Sequence, residues 1–210
     1  MKGKWNLKRS KKNSKTSGET LEELLLRLKI QPDEWDLLIV GDGSGSNWKR
    51  ESGWASVSIE RSTLERRVWF GSMNCGTVNF AEMMAYLQPL NWYASVEMSR
   101  RRKSGGVKFR NVHILTDSKY CGDQGSKGAM LPKKNGTLWK LFSDFQRYGI
   151  LLHWHWIPRD TVELNTYADK LSKEARKAIA ELRDRLEIES VESCDTESDN
   201  SPSPPYLFNP

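Results

Sequence analysis

A short apolar run at residues 37–40, "LLIV", leads through Gly41 directly into Asp42. Aliphatic and β-branched residues in a run of this length predict a buried strand, and the small residues Gly43 and Ser44 leave room for other groups to approach its end. A fold can present a carboxylate in this way. An Asp-Gly pair is also common turn chemistry, so the rest of the chain must decide between a turn residue and a functional acid.

The segments that follow alternate between strand and helix patterns. "SGWASVSIE" and "ERRVWFGSM" show the alternation of strands, whereas from Thr77 apolar residues recur at helical spacing, and Pro89 should kink or divide that helix. "NVHILTDSKY" predicts a buried strand that ends in Asp117, and "ILLHWHWIP" predicts another strand between helical segments. The order is three strands, helix, strand, helices, strand and helix. It predicts an α/β domain with a mixed sheet and helices on its faces.

Four acids occupy matching places in this order of elements. Asp42 and Asp117 end two strands, and Glu82 and Asp169 lie one turn into two helices. Strand ends and early helical turns can meet at one edge of a mixed sheet, where four carboxylates would repel each other unless a cation neutralised them. Clustered carboxylate oxygens favour Mg²⁺ or Mn²⁺ over zinc. The pattern therefore predicts a site for these hard cations.

The net charge of +6 over 210 residues is unevenly distributed. Residues 1–16 contain seven Lys or Arg and no acid, while residues 187–210 contain six acids and no base. A basic surface attracts polyanions, with nucleic acid as the leading candidate. Lysine-rich surfaces also serve solubility alone, so charge by itself does not decide between these two uses.

Cysteine usage and the lack of long apolar runs indicate a compartment. The three cysteines have neither zinc-finger spacing nor a disulfide framework, so we expect reduced thiols. The basic N-terminus lacks the apolar stretch of a signal peptide, and no run reaches the length of a membrane span. We therefore expect an intracellular monomer without a membrane segment, cytoplasmic or, in a eukaryote, nuclear.

The length suits one folded domain with tails. Residues 1–16 are predicted to be a disordered basic arm, 17–34 an amphipathic helix that packs on the main domain or on a partner, 35–186 the main domain and 187–210 a disordered acidic tail. The tail ends in "PPYLFNP", an apolar tip that could dock on a protein partner, or the tail could fold back on the basic arm.

Four segments taken together resemble the type 1 ribonuclease H family. "GDGSG" with the following "GWASV" is similar to the family's first motif, "TVNFAEMMA" to its second, "ILTDSKY" to its third and "NTYADKLS" to its fourth. They occur in the family's order across residues 36–180. "WIPRDTVELNTYADKLS" is most similar to the retroelement-type branch, in which Trp-x-Pro-Arg precedes the last helix.

The resemblance implies a ribonuclease H-like fold, with a five-stranded mixed sheet flanked by helices, and a metal site formed by Asp42, Glu82, Asp117 and Asp169. It implies an endonuclease that hydrolyses the RNA strand of RNA/DNA hybrids with two Mg²⁺ ions, which Mn²⁺ can replace, and that leaves 5′-phosphate and 3′-hydroxyl ends. In this assignment Asp42 bridges both ions, Glu82 and Asp117 favour the first ion, and Asp169 favours the second.

The resemblance also implies contacts to nucleic acid. Ser44 and Asn79 match positions that contact the 2′-hydroxyls of RNA, the groups that distinguish RNA from DNA. Thr77 matches a residue that holds a DNA phosphate, and Asn165 matches the Asn before the final acid. Each of these four side chains could instead cap a helix or a turn.

Two further segments bear on backbone binding and on catalysis. The basic connection containing Lys133 and Lys134 is similar to the segment that grips the duplex backbone in many members of the family. The loop before the last helix lacks the His that many members carry there, and Arg159 stands near its position as a candidate nucleic-acid contact. His153 and His155 lie on one face of the preceding strand, and we interpret them as structural.

Alternatives remain open at this level. The missing loop His leaves room for a nucleic-acid-binding module with weak catalysis, or for a structure-specific nuclease that acts on another nucleic acid. A proofreading exonuclease would have an acid at the position of Ser44. A transposase or integrase would lack an early helical acid such as Glu82.

Overall fold

The computed structural model describes residues 18–45, 51–74, 76–104, 109–127 and 135–195. The helices are α1 (Leu21–Arg27), α2 (Val78–Ser104), α3 (Lys119–Ser126), α4 (Gly136–Arg147) and α5 (Glu163–Asp195). The strands are β1 (Leu37–Gly45), β2 (Ser52–Glu60), β3 (Arg66–Met73), β4 (Arg110–Thr116) and β5 (Ile150–Trp156). This succession confirms the predicted order of strands and helices in the main domain.

The five strands form one sheet in the order β3-β2-β1-β4-β5. The first three pair antiparallel, while β4 joins β1 and β5 joins β4 in parallel. The predicted five-stranded mixed sheet flanked by helices is therefore confirmed. A parallel neighbour requires a crossover connection, which α2 provides between β3 and β4, and α3 with α4 provide between β4 and β5.

The central strand β1 divides the core, because its successive side chains point to opposite faces. Leu37 and Ile39 pack in a cluster with side chains of α2 and α4. Leu38 and Val40 pack in a second cluster that includes Leu24 of α1. Because β1 is buried on both faces, its sequence is a continuous apolar run rather than an alternation.

Helix α1 packs against the sheet, as the sequence predicted. Thr20 Oγ1 accepts the Glu23 N–H at 3.2 Å, and Glu23 Oε2 accepts the Thr20 N–H at 2.8 Å, which forms a capping box at the start of the helix. Leu24 is fully buried in the second cluster. This packing stabilises a helix that would be too short to persist in isolation.

The two longest helices differ from the sequence predictions. α2 continues without a break through Pro89, because Leu87 and Leu90 on either side are buried in the core and hold the neighbouring turns. α5 continues to Asp195, nine residues beyond the predicted end of the main domain at residue 186. Residues 181–187, "ELRDRLE", are rich in strong helix formers, which favour continuation of the helix.

Several predictions lie outside the described residues. These are the basic arm at 1–16, the tail at 196–210, and both Lys133 and Lys134. Among the helices in the described ranges, none combines the length and the apolar character needed to cross a bilayer. Cys121, on α3, is a buried free thiol.

Candidate active site

Three acids converge where β1 and β4 stop pairing. Asp42, Glu82 and Asp117 each place one carboxylate oxygen so that the three atoms lie within 4.8 Å of one another. The last paired residues of the two strands are Gly41 and Thr116, so Asp42 and Asp117 are the next residue on each strand. Neighbouring parallel strands present equivalent positions side by side, which makes two acids far apart in sequence into neighbours.

Asp42 lies inside β1 rather than at its end. The strand continues because its other neighbour, β2, pairs with it as far as Gly45 and Ser52. The expectation that Asp42 ends the strand is therefore wrong. The residue is 1% exposed, and its backbone is held within a ladder rather than in a turn. The turn interpretation of the Asp-Gly pair is excluded by this position.

Gly43 brings α2 against β1 at the level of Glu82. A side-chain carbon at Gly43 would collide with the backbone nitrogen of Glu82, so only glycine permits this approach. The Gly43 backbone N–H donates a hydrogen bond to the Glu82 carboxylate. Glu82 is 4% exposed. The close approach of helix and strand thus positions the third acid of the group.

Each of these acids keeps one buried oxygen that has no hydrogen-bond partner among the described residues. The atoms are Asp42 Oδ1, Glu82 Oε2 and Asp117 Oδ1. Leaving a buried acceptor unpaired costs about 1–3 kcal/mol and more for a charged group, so such atoms are uncommon. Three of them in one place suit a cation with oxygen ligands.

Burial and crowding raise the pKa values of two of the acids. Burial raises the pKa of Asp42 to about 6; the hydrogen bond from Ser172 opposes the shift, and the charges of Asp117 and Asp169 add to it. Burial, followed by the charges of Asp42 and Asp117, raises the pKa of Glu82 well above its ordinary value. A bound cation would favour the ionised carboxylates and reverse both shifts.

Helix α5 supplies a fourth acid and a hydroxyl. Ser172 Oγ donates to Asp42 Oδ2 at 2.6 Å. Asp169 Oδ2 accepts from Lys173 Nζ at 2.7 Å, and Asp169 lies outside the group of three within 4.8 Å. α5 can approach the sheet closely because residue 53 of β2 is a glycine. A side-chain carbon at Gly53 would collide with the Ser172 backbone oxygen.

Ser172 was not among the predicted site residues. Its spacing of three residues from Asp169 places both side chains on one face of α5, and this was the available signal. A serine at that spacing is common in helices, so its role follows only from its hydrogen bond to Asp42 of β1.

Two side chains at the end of β5, Arg159 and Trp156, contact Asp117. Arg159 Nε donates to Asp117 Oδ2 at 3.0 Å, and the Trp156 indole N–H donates to the Asp117 backbone oxygen at 3.1 Å. Lys119 Nζ lies 5.8 Å from the centroid of the Trp156 ring, and Trp156 is 44% exposed. Arg159 thus lies beside the acids. Trp156 was not among the predicted site residues, because a tryptophan on a strand is usually highly buried.

The other predicted contacts lie on elements around the acids. Ser44 is buried in β1, and Asn79 is half-buried in the first turn of α2. Thr77 Oγ1 accepts a backbone N–H of that turn at 3.2 Å. Asn165 is buried, and its Oδ1 accepts the Asp160 N–H at 2.9 Å. Thr77 and Asn165 therefore make the capping contacts that the sequence analysis gave as their alternative role.

Comparison with known proteins identifies the fold. No known family profile matches the sequence, and no curated protein matches it either. The N-terminal RNase H domain of a Mycobacterium tuberculosis protein, solved as a fusion with maltose-binding protein, superimposes with a TM-score of 0.50 at 24% identity, over 70% of this chain and 97% of that one. A foamy viral protease-reverse transcriptase in complex with an RNA/DNA hybrid superimposes with a TM-score of 0.51 at 16% identity, over 80% of this chain and 22% of that one.

Both likenesses concern the fold, because identities of 24% and 16% are too low to carry an activity across. The chain has the ribonuclease H fold, which confirms at that level the resemblance found in its four motifs. The assignment of individual residues to a reaction rests on the geometry of the acids.

Proposed function

We propose that this chain is a metal-dependent endonuclease of the ribonuclease H type that hydrolyses the RNA strand of RNA/DNA hybrids. The observation that carries the proposal is the convergence of Asp42, Glu82 and Asp117, each with an unpaired buried oxygen, at one edge of a ribonuclease H fold. A module that only binds nucleic acid gains nothing from three buried acids, since their mutual repulsion lowers stability.

The proposed metal ligands are Asp42, Glu82 and Asp117, with Asp169 as a fourth. The donors are all carboxylate oxygens, which favours Mg²⁺, with Mn²⁺ as a substitute. When bound, two such ions supply Lewis-acid stabilisation of the charge that develops during phosphodiester hydrolysis. The proposed products carry 5′-phosphate and 3′-hydroxyl ends.

The protein orients these acids before any ligand arrives. In Asp42, Oδ2 is held by Ser172 and Oδ1 is unpaired. In Asp117, Oδ2 is held by Arg159 and Oδ1 is unpaired. Glu82 follows the same division, with the Gly43 N–H on its carboxylate and Oε2 unpaired. One oxygen of each acid fixes the side chain, and the other is directed to the ligand, which is how a preorganised site is built.

Groups around the acids suit recognition of a hybrid. Ser44 and Asn79 are the proposed contacts to 2′-hydroxyls of the RNA strand. The Thr77 hydroxyl accepts one N–H and retains its own proton, which it can donate to a phosphate. Arg159 is 63% exposed along its side chain, and with Trp156 it offers a cation and an aromatic face next to Asp117. A fold neighbour solved with an RNA/DNA hybrid supports the choice of test substrate.

The test is cleavage of end-labelled nucleic acids by the full chain. An RNA/DNA hybrid, double-stranded DNA, double-stranded RNA and both single strands should be compared with Mg²⁺, with Mn²⁺ and with a chelator. We expect cleavage within the RNA strand of the hybrid, abolished by the chelator. The 3′ ends should accept nucleotides from a polymerase, which a 3′-phosphate would not.

Two results would overturn the proposal. Hybrid that is bound but not cut with either ion would indicate the binding module. Cleavage of another nucleic acid in preference to the hybrid would indicate the structure-specific nuclease.

A further inference from the structure

All three histidines of the chain lie together on one face of two neighbouring strands. His113 belongs to β4, and His153 and His155 belong to β5. His113 is the register partner of His153, and Leu115, two residues further along β4, is the partner of His155. The pairing of β4 with β5 therefore assembles an imidazole cluster from two distant segments.

The rings approach each other through their nitrogens. His113 Nδ1 and His155 Nε2 are 2.9 Å apart. The rings of His113 and His153 stack with centroids 4.6 Å apart and an angle of 22° between their planes. Two imidazole nitrogens bound to one tetrahedral ion, at about 2.0–2.1 Å each, are about 3.3 Å apart. The observed separation is close to that value.

Hydrogen bonds on the far side of two rings leave one nitrogen lone pair free in each. The His113 ring donates an N–H to the backbone oxygen of Glu34. Nδ1 of the same ring faces His155. The His153 Nε2 lies 3.1 Å from Asn111 Oδ1, an oxygen that can only accept. Each neutral ring then carries its lone pair on Nδ1. Metal-binding histidines are oriented by this kind of bond from the second nitrogen.

The histidines are separate from the acids. His113 pairs with Leu38, four residues before Asp42 on β1, which places the two levels about 13 Å apart along the strand at 3.3 Å per residue. His113 is buried, His155 is half-buried and His153 is exposed. An ion can therefore reach the cluster from solvent at the β5 edge.

We propose that His113, His153 and His155 form a binding site for a transition-metal ion, Zn²⁺ first among them, that links β4 to β5. Imidazole nitrogens suit Zn²⁺, Cu²⁺ and Ni²⁺ and are poor ligands for Mg²⁺. His113 Nδ1 and His155 Nε2 supply two ligands once the hydrogen bond between them, 2.9 Å from nitrogen to nitrogen, opens and its proton moves to the other nitrogen of His155. The exposed His153 ring has to move toward this pair to supply the third ligand, because the three histidines do not place one nitrogen each within 4.8 Å of one another, and water completes the coordination.

The protonation of the cluster agrees with this role. Burial lowers the pKa of His113 to about 4, and the charges of His153 and His155 act in the same direction. Burial also lowers the pKa values of His153 and His155. The three rings are therefore neutral at pH 7, so none of them carries a second proton that an ion would have to displace.

The test measures Zn²⁺ binding by the full chain in excess Mg²⁺. Equilibrium dialysis should find one Zn²⁺ per chain in the wild type and in Asp42→Asn, which alters only the acids. His153→Gln and His155→Gln, at the exposed and half-buried positions, should each weaken Zn²⁺ binding by at least about 10-fold. With Co²⁺ as the probe, the visible absorption of nitrogen coordination should appear in Asp42→Asn and be lost in both histidine variants.

Two results would overturn the proposal. Equal Zn²⁺ affinity in the wild type and both histidine variants would place the ion elsewhere. No Zn²⁺ bound at micromolar concentration, with nitrogen NMR showing a shared proton between His113 and His155, would mean that the pair is an N–H···N hydrogen bond only. Circular dichroism of both variants, which occupy the edge strand, checks that each is folded.

Discussion

Buried acids lie at both ends of this sheet, but their partners differ. At the end where β1 begins, Glu97 accepts from Arg110 at 2.6 Å and from Arg100 at 2.7 Å. Arg100 also pairs with Glu60 at 2.7 Å. At the other end, Asp42 is held by a serine hydroxyl and Glu82 by a backbone N–H, and each keeps an unpaired oxygen.

One helix, α2, contributes a buried acid to each end of the sheet. Glu82 and Glu97 both belong to α2, fifteen residues or about 22 Å apart at the helical rise of 1.5 Å per residue. Arginines complete the network around Glu97, which ties α2 to the start of the sheet. The acids around Glu82 are left incomplete, which suits a site that a ligand completes. The kind of partner, rather than the presence of buried acids, separates the structural end from the functional one.

The largest expected effect is on the rate of hybrid cleavage, which should depend on the acids around Asp42 and not on the acids around Glu97. Asp42→Asn should lower the cleavage rate by about 1,000-fold or more, because loss of a metal ligand forfeits several kcal/mol of transition-state stabilisation. Glu97→Gln also removes one buried charge and should keep nearly the full rate below its unfolding temperature. Single-turnover cleavage of a labelled hybrid measures both. Equal losses in the two variants would contradict the assignment of Asp42 to the site.

Stability should respond in the opposite way. Glu97→Gln should lower the free energy of unfolding by about 2 kcal/mol, since it removes one of the two carboxylates that pair with the partly buried Arg110 and leaves only Asp36. Urea unfolding measures the difference. The control is Glu181→Gln, an exposed acid on α5, which should change stability by less than about 0.5 kcal/mol. A loss no greater than this control would mean that the network does not hold the sheet to α2.

Without metal, Asp42→Asn should be more stable than the wild type at pH 7, by about 3 kcal/mol. The pKa of Asp42 is raised in the folded state, from 3.8 to about 6, so the folded state binds this proton more tightly than the unfolded chain. Wild-type stability should therefore fall as pH rises through this range, and the advantage of the variant should grow until it levels off above pH 6.

Unfolding in a chelator across this pH range measures the advantage. Mg²⁺ should stabilise the wild type more than the variant. A difference that does not change with pH would contradict the raised pKa of Asp42.

The smallest expected effect concerns the arginine beside the acids. Arg159→Ala should change the free energy of unfolding by less than about 1 kcal/mol, because its ion pair with Asp117 is largely exposed on the arginine side. Arg110→Ala, at the other end, is the matched variant and should cost several times more. Hybrid affinity of Arg159→Ala should also depend less steeply on salt if Arg159 contacts a phosphate. A large loss of stability would place Arg159 with the structural arginines.

The three converging acids could be predicted because each one follows or lies within a local sequence pattern typical of a strand or a helix. Asp42 and Asp117 follow apolar runs, and Glu82 lies in the first turns of a segment whose apolar residues recur at helical spacing. The hydrogen bond of Ser172 to Asp42 could not be predicted, because it depends on how closely α5 approaches β2 at Gly53. His113 joined His153 and His155 only through strand pairing, which no local pattern encodes.

The sequence by itself determined the strands, the helices and their order, because burial and backbone preference act over a few residues at a time. Only the tertiary structure decided which charges are left unpaired. The register that pairs Gly41 with Thr116 places Asp42 beside Asp117, and a shift of one residue would turn Asp42 to the other face of the sheet. At one end of the sheet, arginines pair with the buried acids Glu97 and Glu60. At the other end, among the described residues, an arginine pairs with Asp117 but not with Asp42 or Glu82. Long-range packing, rather than local sequence, sets which side chains meet.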